Sequence, residues 1–233
     1  MTAFFRFPHT PHVAWLAAGE PRDDKLLSLS EVTELLTGDV VVEEKLDGAN
    51  LGFSVSFDGQ LRAQNRGQYL QPPYRGQFAR LGQWLAQHDD KLCGALGTHL
   101  IAFGEWCAAR HSLAYMALPD LWLLFDVYDR NADKFWSTSR RNAWAADLGI
   151  ATVPQLHCGR VGLPQLKVWV QSRQSQFRPG HLEGLIIRRE GGRDWLDCRA
   201  KLVRADFTQG NEGHWRGRTL EWNQLASHAT ANT

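Results

Sequence analysis

The chain has 233 residues, 43% of them hydrophobic, and carries 26 Lys and Arg against 25 Asp and Glu, for a formal charge of +1. That length suits one large domain, residues 1–233, with a substantial core, and is too short for a catalytic domain joined to a sizeable second one. Near-neutrality excludes attachment to a polyanion by overall charge, so any nucleic-acid footprint has to be a local patch of Lys and Arg. Cys93, Cys107, Cys158 and Cys198 show no C-x-x-C spacing. The sequence contains no signal peptide and no apolar run near the roughly 18 residues that span a bilayer. These features predict reduced thiols, no membrane partner and a cytoplasmic location. His9 and His12 stand i and i+3 without a second ligand pair, which argues against zinc.

Residues 28–36 read as a short helix: Ser30 is placed to cap its start, Glu31 and Glu34 suit its positive end, and Gly38 stops it. The run Val40-Val41-Val42 opens a strand over residues 40–45. A second strand over 51–57 alternates Leu51, Phe53, Val55 and Phe57 with Gly52, Ser54 and Ser56. Asp58-Gly59 is a hairpin turn into a strand over 61–66. Phe78, Leu81 and Leu85 recur near helical spacing within a helix over 78–88. Strands follow over 99–107 and 121–128, then an amphipathic helix around 140–148 that ends at Gly149. A further helix over 165–174, strands over 184–189 and 197–203, and a short helix over 220–227 complete the chain. Strands interrupted by helices, several of them in hairpins, predict an α+β fold rather than a regular parallel sheet.

Between the first two strands lies Glu44-Lys45-Leu46-Asp47-Gly48-Ala49-Asn50. A protonated lysine is a poor nucleophile, so a chemically useful one sits where burial or a nearby cation lowers its pKa and a carboxylate is at hand. In extended geometry Lys45 and Asp47 share one face, while Gly48 lets a phosphate or ribose approach the backbone. Taken alone, the segment favours an exposed turn, because Lys and Asp before Gly are common turn residues. Four later segments change that balance. They are Phe103-Gly104-Glu105-Trp106, Leu123-Leu124-Phe125-Asp126-Val127-Tyr128, Glu183-Gly184-Leu185-Ile186-Ile187-Arg188 and Ala200-Lys201-Leu202-Val203.

Together with the lysine segment, and in this order, they resemble the motifs of the covalent nucleotidyltransferases, the superfamily of DNA ligases, RNA ligases and mRNA capping enzymes. The resemblance runs from Lys45 to Lys201, most of the chain. Asn50 stands where DNA ligases and capping enzymes usually carry Arg and where RNA ligases of the phage double-strand-sealing type carry Asn. The flanks Phe7-Pro8-His9-Thr10-Pro11-His12, Asp23-Asp24-Lys25-Leu26-Leu27-Ser28 and Gln209-Gly210-Asn211-Glu212-Gly213-His214-Trp215 resemble bacterial members of that RNA ligase family. The resemblance implies an ATP-grasp-like nucleotidyltransferase (adenylation) domain of antiparallel sheets flanked by helices. Only 32 residues (233 − 201) follow Lys201, so neither an oligonucleotide-binding barrel nor the helical C-terminal domain of the phage enzymes is expected.

The implied reaction is ATP-dependent joining of 5′-phosphate and 3′-hydroxyl RNA ends through a lysyl-AMP on Lys45 and an AMP-capped 5′ end, with Mg²⁺ or Mn²⁺. Lys201 or the metal would make the Lys45 amine neutral by like-charge repulsion. Glu105 would accept from ribose, and Glu183 would hold the metal, with Asp47 sharing metal or ribose work. Neither acid is expected to crowd Lys45, since that would raise its pKa. Phe125 would stack on adenine, and Glu44, Asn50, Arg66 and Arg199 complete the implied nucleotide-binding set. The last motif usually reads Lys-x-Lys, and here Arg199-Ala200-Lys201 keeps the charge at its first position. Arg188, Arg189, Arg193, Arg199, Lys201 and Arg204 crowd the last two motifs, with alternate residues expected to face the cleft. Trp106 and Trp215 are the tryptophans singled out as stacking platforms. An ATP-dependent DNA-nick ligase, a capping-type guanylyltransferase and a non-sealing domain that binds nucleotide or nucleic-acid ends are the rival readings. A partner protein that supplies substrate recognition is a further expectation.

Overall fold

The structure, a computed structural model, describes residues 4–19, 25–208 and 219–227. Asp23 and Asp24 of the second flank, and the whole third flank with Trp215, lie outside the described residues. Helix α1 (Leu29–Leu35) begins where expected, but its cap is Ser28 and not Ser30. The Ser28 hydroxyl accepts the Glu31 N–H while the Glu31 carboxylate accepts the Ser28 N–H, so two open donors are satisfied reciprocally.

Strand β1 (Val40–Lys45) leads to β2 (Ala49–Val55) and β3 (Leu61–Gln64). The expected strand over 51–57 stops early because Ser56 closes the turn, its N–H bonding the Gln60 carbonyl and its own carbonyl accepting the Gly59 N–H. Phe57 is therefore exposed at the hairpin tip instead of extending the buried row Leu51, Phe53 and Val55. After a 3₁₀ turn (Gly76–Phe78), α2 (Leu81–Leu96) runs past the expected end at His88, since Leu92 and Leu96 keep the same face buried. Strands β4 (Leu100–Trp106), β5 (Trp122–Asp129) and β6 (Lys134–Phe135) and helix α3 (Thr138–Leu148) follow. Gly149 ends α3 in the left-handed region at φ 61°. Then come β7 (Gln155–Gly159), α4 (Leu163–Ser172), β8 (Gly184–Glu190), β9 (Leu196–Val203) and the short α5 (Ala205–Thr208).

All the strands pair antiparallel, in two sheets ordered β7-β1-β8-β9 and β3-β2-β4-β5-β6. Period-two alternation gives each sheet an apolar outer face. In the first sheet, Val40, Val42, Leu185, Ile187, Ala200 and Leu202 pack with Val32 and Leu35 of α1 and Leu166 and Val170 of α4. In the second, Leu51, Phe53, Ala102, Trp106 and Trp122 pack with Leu81, Trp84, Leu92 and Leu96 of α2. The two inner faces look at each other, and their polar residues are the subject of the site below. Among the described residues no helix is long and apolar enough to cross a membrane.

Residues 220–227 are not the expected helix. Their backbone is spent on the loop after β4: Arg110 N–H bonds the Glu221 carbonyl, Asn223 N–H the Ala108 carbonyl, and Leu118 N–H the Gln224 carbonyl. The buried Asn223 side chain accepts the Tyr115 N–H and donates to the carbonyls of Cys107 and Ala109. Those tertiary bonds outweigh a weak local preference for helix.

Gly104 shows why a glycine interrupts β4. A Cβ there would lie 2.4 Å from the Trp122 ring and 2.6 Å from the Leu123 carbonyl. Gly104→Ala is expected to lower stability by about 1–3 kcal/mol through overpacking, read as an earlier denaturant midpoint at unchanged slope. An unmoved midpoint would show that the sheet yields at no cost.

Candidate active site

The alternation that buries Val40 and Val42 turns Glu43 and Lys45 to the inner face of the first sheet. The β8–β9 register adds cross-strand neighbours there, Ile186 opposite Lys201 and Arg188 opposite Arg199. Asn50 of β2, Glu105 of β4 and Phe125 and Asp126 of β5 come from the second sheet. With Phe7 and Thr10 of the first flank, and Gln77 and Phe78, they line a cavity of about 550 Å³ that also receives Glu44, Gly48, Arg66 and Val153. A volume of that size lies within the range of small-ligand sites.

Phe125 and Asp126 both line the cavity although they are consecutive on one strand. The register between β4 and β5 slips here: Phe103 pairs with Asp126 and Gly104 with Leu124, leaving Phe125 unopposed. This bulge sends Leu124 and Val127 into the outer core and frees two successive side chains for the site. It also leaves the Phe125 carbonyl to accept from the Arg141 and Arg188 guanidinium groups.

Behind the cavity those guanidinium groups belong to a buried ionic network that ties the sheets together. Arg188 Nη1 lies 2.9 Å from Asp126 Oδ1 and its Nε donates to Thr138 at 3.0 Å, with Glu43 at 3.8 Å. Arg141 pairs with Glu43, and Arg199 Nη1 stands 3.0 Å from Asp126 Oδ2. Arg199 also lies over the rings of Phe7 and Phe135, 4.6 and 4.3 Å from their centroids. Burial draws its pKa down, with Asp126 opposing. Sequence reasoning placed Arg188 among phosphate-neutralising residues. It lines the cavity wall, but its donors are spent on Asp126, Thr138 and backbone carbonyls. Arg189 instead faces outward to Glu34 and Asp197, and Arg204 pairs with Asp206, so of the basic cluster Arg188, Arg199 and Lys201 line the cavity.

Lys45 Nζ is 2.7 Å from Glu183 Oε1, an ion pair that is only partly exposed. This overturns the expectation that no acid crowds the lysine. Burial lowers the Lys45 pKa, but the carboxylates of Glu183, Glu105 and Asp47 outweigh it and the net shift is upward. Burial in turn pushes Glu183 and Glu105 up to about 7 each, against the pull of Lys45. Facing these carboxylates the amine is held as an ammonium, beside an acid whose own proton affinity is raised to near neutrality. Glu183→Gln removes the nearest negative charge, so the Lys45 titration should move to lower pH. Competitive acylation of the Lys45 amine across pH, read by peptide mass, tests this. An unmoved or raised midpoint would refute the pairing.

Asp47 does not line the cavity. Its Oδ2 accepts the N–H groups of Ser112 and Leu113 at 2.7 Å each, and its own N–H donates to the Tyr115 hydroxyl at 2.8 Å. It fixes the loop after β4 and reaches Lys45 through its charge. Gly48 has a similar local reason: its N–H donates to Glu105 Oε1 at 2.9 Å, and a Cβ would stand 2.6 Å from the Trp106 carbonyl. Trp106 is fully buried with its Nε1–H on the Gln77 carbonyl, so it is not a stacking platform. On β4 it points opposite to Glu105. Glu44 is buried, its Oε2 accepting the Gln176 N–H at 3.1 Å and its pKa raised by burial. Two buried oxygens of the lining, Glu44 Oε1 and Asn50 Oδ1, have no hydrogen-bond partner among the described residues, and neither has Glu183 Oε2, which does not itself line the cavity but stands beside Lys45.

Glu43, Asp126, Arg141 and Gln77 escaped the sequence reading as site residues. The available signal was an acid inside each of two apolar strands, where an unpaired carboxylate is not tolerated.

An RNA ligase family model matches residues 38–203. A search of curated proteins gives no match. Solved structures of the Naegleria gruberi RNA ligase are similar to the chain at 18% identity. The form with pyrophosphate gives a TM-score of 0.59, covering 88% of this chain and 63% of that one. A glutamate-to-alanine mutant with ATP and Mn gives 0.58, covering 77% and 54%. A lysine-to-methionine mutant with AMP and Mn gives 0.58, covering 88% and 64%. The chain therefore spans less than two thirds of these solved chains, and the similarity establishes that it shares their fold.

Proposed function

From the premise that the chain belongs to the RNA ligase family, we propose that it is an ATP-dependent RNA ligase working through a lysyl-AMP on Lys45. The observation that carries this reading is Lys45 on the wall of a nucleotide-sized cavity, 2.7 Å from Glu183, with the lining oxygens Glu44 Oε1 and Asn50 Oδ1 left without partners among the described residues. The Naegleria structures with ATP, with AMP and with pyrophosphate bear the names of the substrate and products of such a first step.

The neutral Lys45 amine attacks the α-phosphorus of ATP. A P–N bond forms, the bond to the bridging oxygen breaks, and pyrophosphate leaves. Glu183, 2.7 Å from Nζ and raised to about 7, is the group in reach to take the ammonium proton. Lys201 and Arg199 face the same cavity and supply positive charge for the α-phosphate. Phe125, with Val153 and Ile186, offers an apolar wall for adenine, a stacking contact worth roughly 1–3 kcal/mol. Glu105 faces the ribose in this reading, and Glu44 Oε1 and Asn50 Oδ1 offer acceptors for the nucleoside's donors. The AMP then passes to an RNA 5′-phosphate, and a 3′-hydroxyl attacks that phosphorus, expelling AMP and forming the phosphodiester.

The residues present fit a divalent ion. Glu183 Oε2 is a buried carboxylate oxygen without a partner, the donor type Mg²⁺ and Mn²⁺ prefer. Among the described residues no three His, Cys, Asp or Glu side chains converge to hold a metal by themselves. That matches an ion held by one or two carboxylates together with substrate phosphates and water. When bound, such an ion neutralises phosphate charge and disfavours the Lys45 ammonium.

The test is to load the protein with labelled AMP from ATP and chase it with 5′-phosphorylated ends in single-stranded RNA, nicked RNA duplex, RNA–DNA hybrid and nicked DNA, with and without an added protein partner. Transfer of AMP to RNA ends followed by joining is expected. Discharge onto nicked DNA alone would make the chain a DNA ligase, and labelling without discharge onto any end would refute strand joining by this chain.

A further inference from the structure

Between Asp58 and Asp89 the chain has no acidic residue. Residues 59–88 carry Arg62, Arg66, Arg75 and Arg80 and no Asp or Glu, a charge of +4 in a protein of +1, so the other residues sum to −3 (1 − 4). Residues 148–182 are equally free of acids and carry Arg160, Lys167, Arg173 and Arg178, but none of those four cations lines the cavity, whereas the first stretch meets its mouth. Arg66 lines it from one end of the stretch, and Gln77 and Phe78 from the other.

Six arginines outside this stretch are already committed to acids. Arg110, Arg141, Arg188, Arg189, Arg199 and Arg204 each have a carboxylate within 3.0 Å. Arg66 and Arg75 are exposed, and neither side chain has an ion pair or a hydrogen bond among the described residues. Arg62 has only Asp58 at 3.9 Å and the Tyr69 ring 5.6 Å from its guanidinium carbon. Half-buried Tyr69 and Tyr74 are interleaved with these cations, offering ring surface between charges. An acidic protein surface would also meet the charge, but continuity with the cavity where a 5′-phosphate must arrive favours a strand carrying one charge per nucleotide.

We propose that this acid-free rim is the track for a single RNA strand, its phosphodiester backbone running from the cavity mouth at Arg66 along Arg75 and Arg62. The assignment rests on the RNA ligase reading above and adds to it the surface that holds the strand outside the chemical centre. Arg62 and Arg75 do not line the cavity, so their replacement should leave AMP transfer from ATP to Lys45 unchanged.

The experiment compares the full chain with Arg62→Ala/Arg75→Ala in binding a fluorescent 5′-phosphorylated single-stranded RNA by anisotropy over a salt titration, with lysyl-AMP formation measured alongside. Each phosphate contact contributes about 0.7 to the slope of log K against log salt. The double variant should bind about tenfold more weakly near physiological salt with a slope shallower by about 1.4, and should label with AMP as the parent does. Arg62→Lys/Arg75→Lys should recover most of both, since lysine serves phosphate as a point charge. Equal affinity and slope in parent and double variant would overturn the track alone. A parent protein that takes up AMP but neither binds RNA nor discharges onto it would overturn the RNA ligase reading and the track with it.

Discussion

Lys45→Ala is expected to take up no AMP from ATP, a loss on the order of 10⁴-fold or more, yet to seal an RNA whose 5′ end already carries AMP. The asymmetry follows from what the amine does. Its nitrogen is consumed in the first step, carries AMP to the 5′-phosphate, and has no bond to make when the 3′-hydroxyl attacks. Removing it should also free Glu183 from its 2.7 Å partner while leaving the remaining cavity walls in place. Labelled ATP reports the first step and gel-resolved joining of pre-adenylated RNA reports the last. A variant that still labels would move the nucleophile elsewhere. A variant that loses both activities while remaining folded would give Lys45 a role in the last step as well.

Asp126→Ala should destabilise the protein by about 3–5 kcal/mol, because it leaves buried guanidinium groups without their carboxylate. Asp126 is 1% exposed and stands 2.9 Å from Arg188 and 3.0 Å from Arg199. At about 2–4 °C per kcal/mol for a chain of this size, the thermal midpoint should fall by roughly 10 °C. The network joins Glu43 and Arg188 of the first sheet to Asp126 of the second, so its loss should loosen the walls of the cavity and weaken ATP binding too. Circular dichroism melting decides the first effect. A midpoint within about 2 °C of the parent would show that the Arg188 and Arg199 charges find other partners at little cost.

Much of this arrangement is legible in the residues. Val40-Val41-Val42 followed by Glu43-Glu44-Lys45 announces a strand that turns from core to site, and strict alternation in Ile186-Ile187-Arg188 and Arg199-Ala200-Lys201 assigns each side chain to a face. What escapes is set by tertiary bonds. The bulge at Phe125 lies where the β4–β5 register slips between Phe103 and Gly104, and no period-two pattern can foresee that Phe125 and Asp126 both turn inward. The edge strand β7 is half exposed and carries no apolar alternation to mark it. Residues 220–227 have helical composition, but their carbonyls and N–H groups serve the loop after β4. The Lys45–Glu183 contact joins residues 138 positions apart, and only the pairing of β1 with β8 brings them together. That Asp47 Oδ2 accepts the Ser112 and Leu113 N–H groups, 65 and 66 positions away, is likewise invisible in its local spacing.

The most direct measurement is to incubate the protein with ATP and Mg²⁺, digest it under alkaline conditions that preserve a phosphoramidate, and locate the adduct by peptide mass spectrometry. One AMP on Lys45, absent when ATP is omitted, is the predicted result. An adduct on Lys201 or any other residue, or a bound nucleotide with no covalent adduct, would contradict it.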